Sequence, residues 1–365
     1  MCIRDSLRRF LFSFFTLIGA TAIVFGLSRA VGDPRDLFAQ EGGYGVTEET
    51  YEHLTKMLNL DKPLYMQYFI WLGKTVRGDL GRSLLGQKDV ADLIGEKVLN
   101  TLELTIFSWI LSTLIGIPLG VISAIKRGSI WDWAGRFLAL IGQAAPPFVI
   151  AIVGILIFAV KLGWLPAGSG ESYLIKGAFR GISSGDFSLI PAFFSGGWKH
   201  YVLPVGTLGL AASASYLRLT RSSMLEILDS EYIKLARAKG VPERIVIWKH
   251  ALKNALIPPL TLAALIFVGF LTGTIIVETV FVWPGLGLLA TTAVSENDFP
   301  VIKGAVLIFA VIYAIVIFIF NWFFSWRYYS KRRAGLSSCF VNNYFFDISL
   351  PVSYTHLTLP TKRIV

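Results

Sequence analysis

Residues Leu256 to Thr279 read LIPPLTLAALIFVGFLTGTIIVET and carry a single charged side chain, Glu278. A helix needs about 20 mostly apolar residues to cross the hydrocarbon core of a membrane. Five other stretches have comparable length and composition: Phe10 to Ser28, Leu102 to Ile125, Phe137 to Val160, Tyr201 to Leu219 and Ile302 to Phe324. The sequence therefore predicts an all-α integral membrane protein with about six transmembrane helices, of which Leu256 to Thr279 is the fifth.

The composition of the whole chain supports this class. Hydrophobic residues make up 54% of the 365 residues and charged residues 16%, against about 25% in soluble domains. The mean hydropathy is +0.61. An apolar excess of this size has to face lipid, which excludes an ordinary cytosolic enzyme, a disordered chain and a disulfide scaffold. The two cysteines, Cys2 and Cys339, are too few for a metal cluster or a disulfide framework.

The first apolar stretch permits a second interpretation, as a signal peptide. Arg8 and Arg9 precede it, and Ser28-Arg29-Ala30 at its end has the small-x-small pattern of a cleavage site. Its apolar run is longer than the core of an ordinary signal peptide, and five further spans follow it. We therefore expect a retained transmembrane helix.

Basic residues indicate the orientation of the spans, because cytoplasmic loops carry an excess of lysine and arginine. One side of the membrane would hold the basic ends of the chain, the loop after the second span and the loop from Thr220 to Ala255. The opposite side would hold the long acidic segment from Arg29 to Asn100. Both termini are therefore expected in the cytoplasm, and the net charge of +10 reflects this topology rather than a nucleic-acid partner.

The cytoplasmic loop between the fourth and fifth spans contains two helical patterns. Ile233, Ala236 and Arg237 share a helical face before Gly240, a C-cap candidate, and Pro242 suits the first turn of a second helix. The second pattern spaces apolar residues as on one helical face: Ile245, Trp248, Ala251, Leu252 and Ala255. Two short helices joined at an elbow suit docking in a partner's groove or lying on anionic lipid, and these residues alone favour neither.

The same loop resembles the EAA loop of ABC-importer permeases, the element that docks on the ATPase subunit. More narrowly, Ala236-Arg237-Ala238-Lys239-Gly240 and the segment His250 to Pro258 resemble the dipeptide/oligopeptide/nickel permease family. The general EAA pattern has Glu-Ala-Ala where this chain has Lys234-Leu235-Ala236. That departure is usual in the peptide branch of the family.

Other blocks carry this resemblance over roughly Leu7 to Trp326. They are Gly32-Asp33-Pro34, Leu60 to Leu64 (LDKPL), Gly78 to Ser83 (GDLGRS), Thr101 to Thr105 (TLELT), Glu278 to Gly287 (ETVFVWPGLG) and Asp298-Phe299-Pro300. The first helix with its long external segment resembles the first of the family's two paired permeases. The family closes with an acidic residue in its last helix and an Asp-Pro-Arg tail, whereas this chain has Asn321 and Lys331-Arg332-Arg333.

The resemblance implies a function and a set of partners. The chain would be the permease subunit of an ABC importer in the inner (cytoplasmic) membrane of a prokaryote, forming the translocation path for peptides, nickel or glutathione. A second homologous permease, two ABC ATPase subunits and an extracytoplasmic solute-binding protein would complete it within membrane lipid. The ATPases would use ATP and Mg, so no cofactor is expected on this subunit. The sequence does not separate dipeptides, oligopeptides, glutathione and nickel as substrates.

The expected organisation of the chain follows from the spans and the resemblance. Residues 1–6 form a leader foreign to the native protein, 7–30 the first transmembrane helix, 31–100 the external segment, 101–326 the ABC importer transmembrane domain, and 327–365 a basic end with a foreign tail. The terminal strings look like sequence appended during cloning or assembly, and helical periodicity stops at about Ala334.

Two groups of residues are candidate functional positions. The resemblance assigns ATPase docking to the elbow residues Glu231, Ala236, Arg237, Ala238, Lys239, Gly240, Glu243, Arg244, His250 and Asn254. Polar residues deep in the spans are candidates to line a path, because unpartnered polarity is costly in a bilayer: Gln143, Thr272, Thr274 and Glu278. Hydrogen bonding between helices is an equal alternative for each, and Glu278 also suits the membrane interface.

Glycines and prolines inside the spans indicate packing and helix breaks. Gly116-x-x-x-Gly120 and Gly269-x-x-x-Gly273 suit close approach between helices. Prolines interrupt helix hydrogen bonds in several spans: Pro118, Pro146, Pro147, Pro204, Pro258 and Pro259. Such breaks suit a translocation path better than a passive anchor.

No catalytic, ATPase or metal site is predicted. Gly73-Lys74-Thr75 resembles the end of a P-loop, but Tyr68 occupies the position of the first glycine. The four histidines are scattered, and no nucleophile stands beside a base in a known pattern. The alternative function is an ion-coupled secondary transporter, which predicts inverted repeats and ionisable residues at the midplane that are not evident. A membrane-embedded enzyme would need a reactive cluster that is likewise not evident.

Overall fold

A computed structural model describes residues 15–26, 60–83, 88–168, 173–184 and 188–332, together with Leu11, Arg29, Glu52, Thr55 and Gly86. The predicted leader, the external segment before residue 60 apart from those single residues, the tail after residue 332 and both cysteines lie outside them. The described residues form helices, turns and one isolated bridge between Arg82 and Asp89, and contain no strand. The predicted all-α class is confirmed.

The described residues form fourteen helices. In chain order they are α1 (Phe15–Gly26), α2 (Leu64–Val76), α3 (Val90–Ile125), α4 (Ile130–Ala144), α5 (Pro147–Gly154), α6 (Leu174–Ser184), α7 (Leu189–Ala192), α8 (Lys199–Leu228), α9 (Glu231–Ala238), α10 (Glu243–Ile245), α11 (Leu252–Ala255), α12 (Ile257–Val280), α13 (Leu286–Ser295) and α14 (Phe299–Arg332). Three stretches are π-helical: Ile155–Lys161 after α5, Phe193–Gly197 after α7, and Val246–Ala251 between α10 and α11.

The chain divides into two compact units, Met1–Ile317 and Phe318–Val365. The first unit holds α1 to α13 and most of α14. Among the described residues, the second unit holds the last part of α14.

Several helices are suited to cross a membrane. Four are long and apolar enough: α3, α8, α12 and the part Phe299–Phe320 of α14. A fifth span is present if α4 and the bent continuation Pro147–Lys161 are one span. The helix α1 is apolar but shorter. The chain is therefore a multi-pass membrane protein, while the count of six spans stays a prediction.

The third predicted span, Phe137 to Val160, is a broken helix, and the interruption predicted for Pro146 and Pro147 is confirmed. α4 ends at Ala144, and α5 begins at Pro147 after a bend of 102°. The cause is the Pro146-Pro147 pair: proline cannot donate to the preceding turn and drives the residue before it into extended backbone. Ala145 accordingly has ψ 123° and Pro146 has ψ 141°.

Two of the spanning helices extend beyond their apolar runs. α3 begins at Val90, twelve residues before the predicted start at Leu102, because Asp89 and Asp92 provide the polar start that a helix N-terminus favours. α8 continues past Leu219 to Leu228 and leads directly into the elbow. Its 30 residues make a helix about 45 Å long, which exceeds a hydrocarbon core of about 30 Å.

α3 and α8 pack with their backbones in close approach. A Cβ atom on Gly116 would lie 2.5 Å from Tyr216 Cβ and 2.6 Å from the Ser213 carbonyl oxygen, and one on Gly120 would lie 2.6 Å from Thr220 Cβ. The close packing predicted for this glycine pair is confirmed. By contrast, a Cβ on Gly269 or Gly273 of α12 would meet no described atom within 4 Å.

Buried side chains mark the two ends of this helix pair. Near the carboxyl end of α3 lies a cluster of Val121, Ala124, Met224, Ile233, Val246, Ala251 and Ala255. Near the amino end of α3 lies a second cluster of Val90, Ile94, Leu286, Ala293, Val301 and Ala305. We call these regions the elbow end and the opposite end.

Candidate functional site

The elbow comprises residues Glu231 to Ala255 and has two helical arms that meet at a turn at Gly240. The first arm is α9. α9 ends at Ala238, and Gly240 adopts φ +75°, a left-handed conformation that glycine takes without steric cost. The Gly240 N–H donates to the Arg237 carbonyl at 2.9 Å, and the Val241 N–H donates to the Ala236 carbonyl at 3.2 Å. This pair of bonds is a Schellman motif, so the C-cap role predicted for Gly240 is confirmed.

The second arm of the elbow starts directly after this turn. Pro242 precedes α10 with φ −54°, and its carbonyl accepts from the Ile245 and Val246 N–H groups at 2.8 and 3.1 Å. Pro242 is therefore the N-cap residue rather than part of the first turn. A fixed φ at this position sets the direction of the second arm.

An exposed ion pair bridges the two arms. Arg237 Nη2 lies 2.8 Å from Glu243 Oε1, and Arg237 Nε lies 3.2 Å from Glu243 Oε2. The Arg237 guanidinium lowers the pKa of the Glu243 carboxyl, and Glu243 in turn raises the pKa of Arg237. Because the side chains are 42% and 55% exposed, the pair contributes little to stability, although its two bonds join the two arms of the elbow.

The inner face of the elbow rests on the ends of α3 and α8. Ile233 of α9 and Val246 of the second arm are completely buried, as is Met224 near the end of α8. Val121 and Ala124 of α3 complete this contact. The elbow is therefore in direct contact with the ends of two membrane-spanning helices.

The outer face of the elbow is apolar and exposed. Its large side chains are Tyr232, Leu235, Ile245 and Trp248, the last 59% exposed. The sequence pattern places Ile245 and Trp248 on one face with Ala251, and this prediction is wrong, because Ala251 is buried on the inner face. The π-helical turn from Val246 to Ala251 is wider than an α-helical turn, so residues spaced for an α-helix do not stay on one side.

The structure brings the predicted docking residues together on the elbow, with different exposure. Glu231, Arg237, Ala238, Lys239, Gly240, Glu243 and Arg244 are exposed, while Ala236, His250 and Asn254 are half-buried. The Asn254 amide donates to the Tyr232 hydroxyl at 3.0 Å and so joins the two arms. The exposed apolar residues Leu235 and Trp248 are absent from the predicted set, because the spacing of apolar residues does not distinguish the exposed Trp248 from the buried Ala251.

The predicted path-lining residues divide into two groups. Gln143 and Thr272 are exposed, and Gln143 Nε2 lies 3.4 Å from Ser215 Oγ of α8. Thr274 and Glu278 are completely buried inside the chain. The contacts of Glu278 match the alternative of hydrogen bonding between helices.

The Glu278 carboxylate caps the start of α13. Its Oε2 accepts from the N–H groups of Gly287 and Leu288 at 2.7 and 3.0 Å, and its Oε1 accepts from the Thr101 hydroxyl at 2.7 Å. The Leu286 N–H donates to Thr101 Oγ1 at 2.7 Å. A negative group is favourable at the positive end of a helix dipole. Two of the sequence blocks, TLELT and ETVFVWPGLG, thus meet at one buried site.

A second buried glutamate, not predicted as functional, acts in the same way. Glu103 of α3 accepts from the N–H groups of Leu174 and Ile175 at 3.1 and 3.0 Å, at the start of α6, and from the Tyr201 hydroxyl at 2.8 Å. At the same end of the molecule, Ser83 Oγ donates to the buried Asp298 at 2.5 Å. An acid inside the apolar run of the second span was the available signal for Glu103.

A further buried carboxylate, Asp132, lies at the elbow end. It joins the start of α4 to α8 through Arg221, which approaches it with two nitrogen atoms at 2.7 and 3.1 Å. In the sequence, Asp132 stands near Lys126, Arg127 and Arg136, and nothing there indicates its pairing with the distant Arg221.

Comparison with known proteins places this architecture in a family. Residues 116–328 match the model of the binding-protein-dependent transport system inner membrane component. The chain belongs to this family. Over 316 residues it is 37% identical to the dipeptide transport system permease protein DppB of Alkalihalophilus pseudofirmus, covering 85% of this chain and 94% of that protein. Over 285 residues it is 36% identical to the glutathione transport system permease protein GsiC of Escherichia coli K12, covering 78% and 84%.

A solved structure of the MetNI methionine ABC transporter in an inward-facing conformation is also similar. The match covers 63% of this chain and 93% of that one, with 19% identity and a TM-score of 0.46.

Membership of the family establishes the general role of the chain. It is the permease subunit of an ABC importer, an inner membrane component that is not itself the ATPase, and the alternative of an ion-coupled secondary transporter finds no support. Among the described residues, no group of three or more His, Cys, Asp and Glu side chains is arranged to hold a metal ion.

Proposed function

We propose that this permease forms, together with a second homologous permease, the path by which short peptides cross the membrane, and that two ABC ATPase subunits dock on the elbow. The observation that supports docking is that the elbow has one buried face and one exposed face. Its inner face packs on the ends of α3 and α8, while its outer face exposes Tyr232, Leu235 and Trp248 beside basic residues. An exposed aromatic and apolar surface on a rigid turn is typical of a protein interface.

Peptides are the substrate class that the relatives favour. The two relatives named above transport a dipeptide and glutathione, according to their names, and both ligands are short peptides with free carboxylates. Transport of nickel has no comparable support. We assign delivery of the peptide to an extracytoplasmic solute-binding protein at the opposite end of the helices.

The energy for transport would come from the partners. The ATPases would bind and hydrolyse ATP with Mg, and their closure would displace the elbow. The proposal requires the elbow to lie in the cytoplasm, and the distribution of basic residues supports this orientation and a cytoplasmic position for both termini. Lys234, Lys239 and Arg244 all lie on or beside the exposed elbow surface.

Gln143 and Thr272 are the path-lining positions that we retain. Both are exposed, and Gly269 and Gly273 leave open space on α12 beside Thr272. Thr274 and Glu278 are assigned instead to support of the helices, because both are buried within the chain.

The docking proposal is tested by Gly240→Pro in the assembled importer. Proline requires φ near −65° and has no N–H, whereas Gly240 has φ +75° and donates to Arg237. We expect loss of ATPase co-purification and of ATP-dependent peptide uptake. Gly163→Pro is the matched control, because Gly163 has φ +64° but lies after α5, away from the elbow.

The control should retain the ATPase subunits. Full uptake and normal recovery of the ATPases with Gly240→Pro would contradict docking at the elbow. If the elbow merely lies on anionic lipid, neither quantity should change relative to the Gly163→Pro control.

A further inference from the structure

A single buried carboxylate joins three helices at the elbow end. Asp132, 1% exposed, accepts from the Ser123 hydroxyl of α3 at 2.6 Å and from the Gly128 N–H of the connecting turn at 3.0 Å. Arg221 of α8 binds both of its oxygens, Nε at 2.7 Å and Nη2 at 3.1 Å. Arg136, one turn further along α4, lies 3.2 Å from the same carboxylate.

This ion pair differs from the exposed pairs of the chain. Arg221 is 21% exposed and approaches Asp132 in the two-bond geometry that gives the strongest carboxylate–guanidinium contacts. Because Asp132 is buried, removal of either partner leaves a charge that neither water nor another side chain fully compensates. The contact is therefore a strong constraint between α4 and α8.

The rest of α4 also packs along α8. A Cβ atom on Gly142 would lie 2.9 Å from Ala214 Cβ, so the two helices remain close near the end of α4. Gln143 Nε2 reaches Ser215 Oγ at 3.4 Å. α8 in turn continues into the elbow, where Met224 packs with Ile233.

We infer that Asp132 is a positioning residue for transport: through Arg221 it makes α4 follow α8, so that displacement of the elbow reaches the bend at Pro146-Pro147. The inference rests on the proposed function, because it requires that the ATPases move the elbow. Residues 126–129 join α4 to α3, whose last turn also packs on the elbow. The Asp132–Arg221 contact adds a direct connection from α4 to α8, the helix that continues into the elbow.

This role differs from a purely structural one in what it predicts. A structural residue affects assembly, and its loss lowers ATP hydrolysis and uptake in the same proportion. A positioning residue affects how much uptake accompanies each ATP hydrolysed. The ratio of the two rates therefore separates the roles.

The test uses the complete importer, with both permeases, ATPases and binding protein, reconstituted in liposomes with a dipeptide. Asp132→Asn retains the shape of the side chain but removes its charge. We expect binding-protein-stimulated ATP hydrolysis to persist while uptake per ATP falls about tenfold, inside the range of roughly 5- to 150-fold that coupling between sites usually spans. Asp89→Asn is the matched control, since the Asp89–Arg82 pair is 58% and 77% exposed and lies at the opposite end.

Arg221→Lys provides a second variant that keeps the charge but loses the two-bond geometry. Arg221→Lys serves as the test if Asp132→Asn does not accumulate in the membrane. The expected result is again a lower uptake per ATP than in the control. An unchanged ratio in Arg221→Lys, or a proportional loss of both rates in Asp132→Asn, overturns the inference. Absence of ATP-dependent uptake in the wild-type importer would instead contradict the proposed function.

Discussion

The two ends of the helices satisfy their carboxylates in different ways. At the elbow end, Asp132 and Glu243 are bound by the guanidinium groups of Arg221 and Arg237. At the opposite end, Glu278 accepts from backbone N–H groups at the start of α13 and from the Thr101 hydroxyl. Guanidinium groups are thus the main partners of Asp132 and Glu243 at the elbow end, whereas backbone N–H groups are the main partners of Glu278 at the opposite end.

This difference separates a movable region from a fixed one. At the elbow end the guanidinium groups join one side chain to another, and by our inference the Asp132–Arg221 pair makes α4 move together with α8 when the elbow is displaced. At the opposite end the Glu278 carboxylate binds backbone N–H groups, which have no rotatable side chain, and it therefore fixes the start of α13 in position. We therefore expect the opposite end to be the more stable region and the elbow end to be the region that responds to partners.

The largest expected effect concerns the cap at the opposite end. Glu278→Ala leaves the N–H groups of Gly287 and Leu288 and the Thr101 hydroxyl without their acceptor. At about 1–3 kcal/mol for each unsatisfied buried group, the variant should lose about 3 kcal/mol or more of stability. Chemical denaturation of the permease in detergent measures this loss.

Glu296→Ala is the control for this variant, because Glu296 is an exposed glutamate at the other end of the same helix, α13. It should change the free energy of unfolding by only a few tenths of a kcal/mol. Equal stability of the Glu278 and Glu296 variants would remove the basis for calling the opposite end the fixed region.

The next effect concerns the outer surface of the elbow. Trp248→Ala removes the most exposed aromatic side chain of this surface and should weaken ATPase binding by about 2 kcal/mol, or roughly 30-fold, as expected for an aromatic anchor at an interface. Stability should change little, because Trp248 is 59% exposed. Titration of the purified ATPase against the permease in nanodiscs measures the affinity.

Trp164→Ala provides the comparison for this experiment. Trp164 is 64% exposed and lies in the loop after α5, so its removal should leave ATPase affinity unchanged. Similar affinities for the two tryptophan variants would show that the outer elbow surface does not contribute to docking.

The smallest effect concerns the exposed ion pair of the elbow. Glu243→Gln should lower stability by less than about 1 kcal/mol, because both partners are solvated. Since Arg237 lowers the folded-state pKa of Glu243, the contribution is complete above the unfolded-state pKa of about 4.3 and is lost as the pH falls through the lower folded-state value. The difference between wild type and variant should be constant from pH 7 to 5 and shrink below about pH 4.

Denaturation curves at these pH values show whether the stability difference between wild type and Glu243→Gln decreases on acidification. Glu296→Gln, on α13 rather than on the elbow, is the matched control. A difference between wild type and Glu243→Gln that grows on acidification would contradict an ion pair at this position.

The sequence predicts the helical membrane class and the position of the elbow, because both depend on local patterns. Apolar length identifies α3, α8 and α12, and Gly240 with Pro242 identifies the turn. Pro146 and Pro147 also predict the break in the third span, but not its angle of 102°. The extension of α3 back to Val90 is not predicted, because the added residues lie outside the apolar run.

The buried carboxylates show the limit of prediction from sequence most clearly. Glu278 is correctly identified as a polar group at depth, but its partners Thr101 and Leu288 come from another helix and from beyond the turn. Asp132 has its main partner, Arg221, far along the chain. A local pattern contains no information about such pairs. The family blocks TLELT and ETVFVWPGLG include Thr101 and Glu278, but they do not show that these two residues are in contact.

The glycine contact between α3 and α8 limits how this permease can change conformation. A shift of one helical turn along the contact would bring Ser112 or Ala124 of α3 to the positions now held by Gly116 and Gly120, where the structure leaves no room for a Cβ atom. The two helices are therefore locked in register and cannot slide past each other. Any alternation of access has to occur by rotation of this pair as one body or by movement of the segments attached to it.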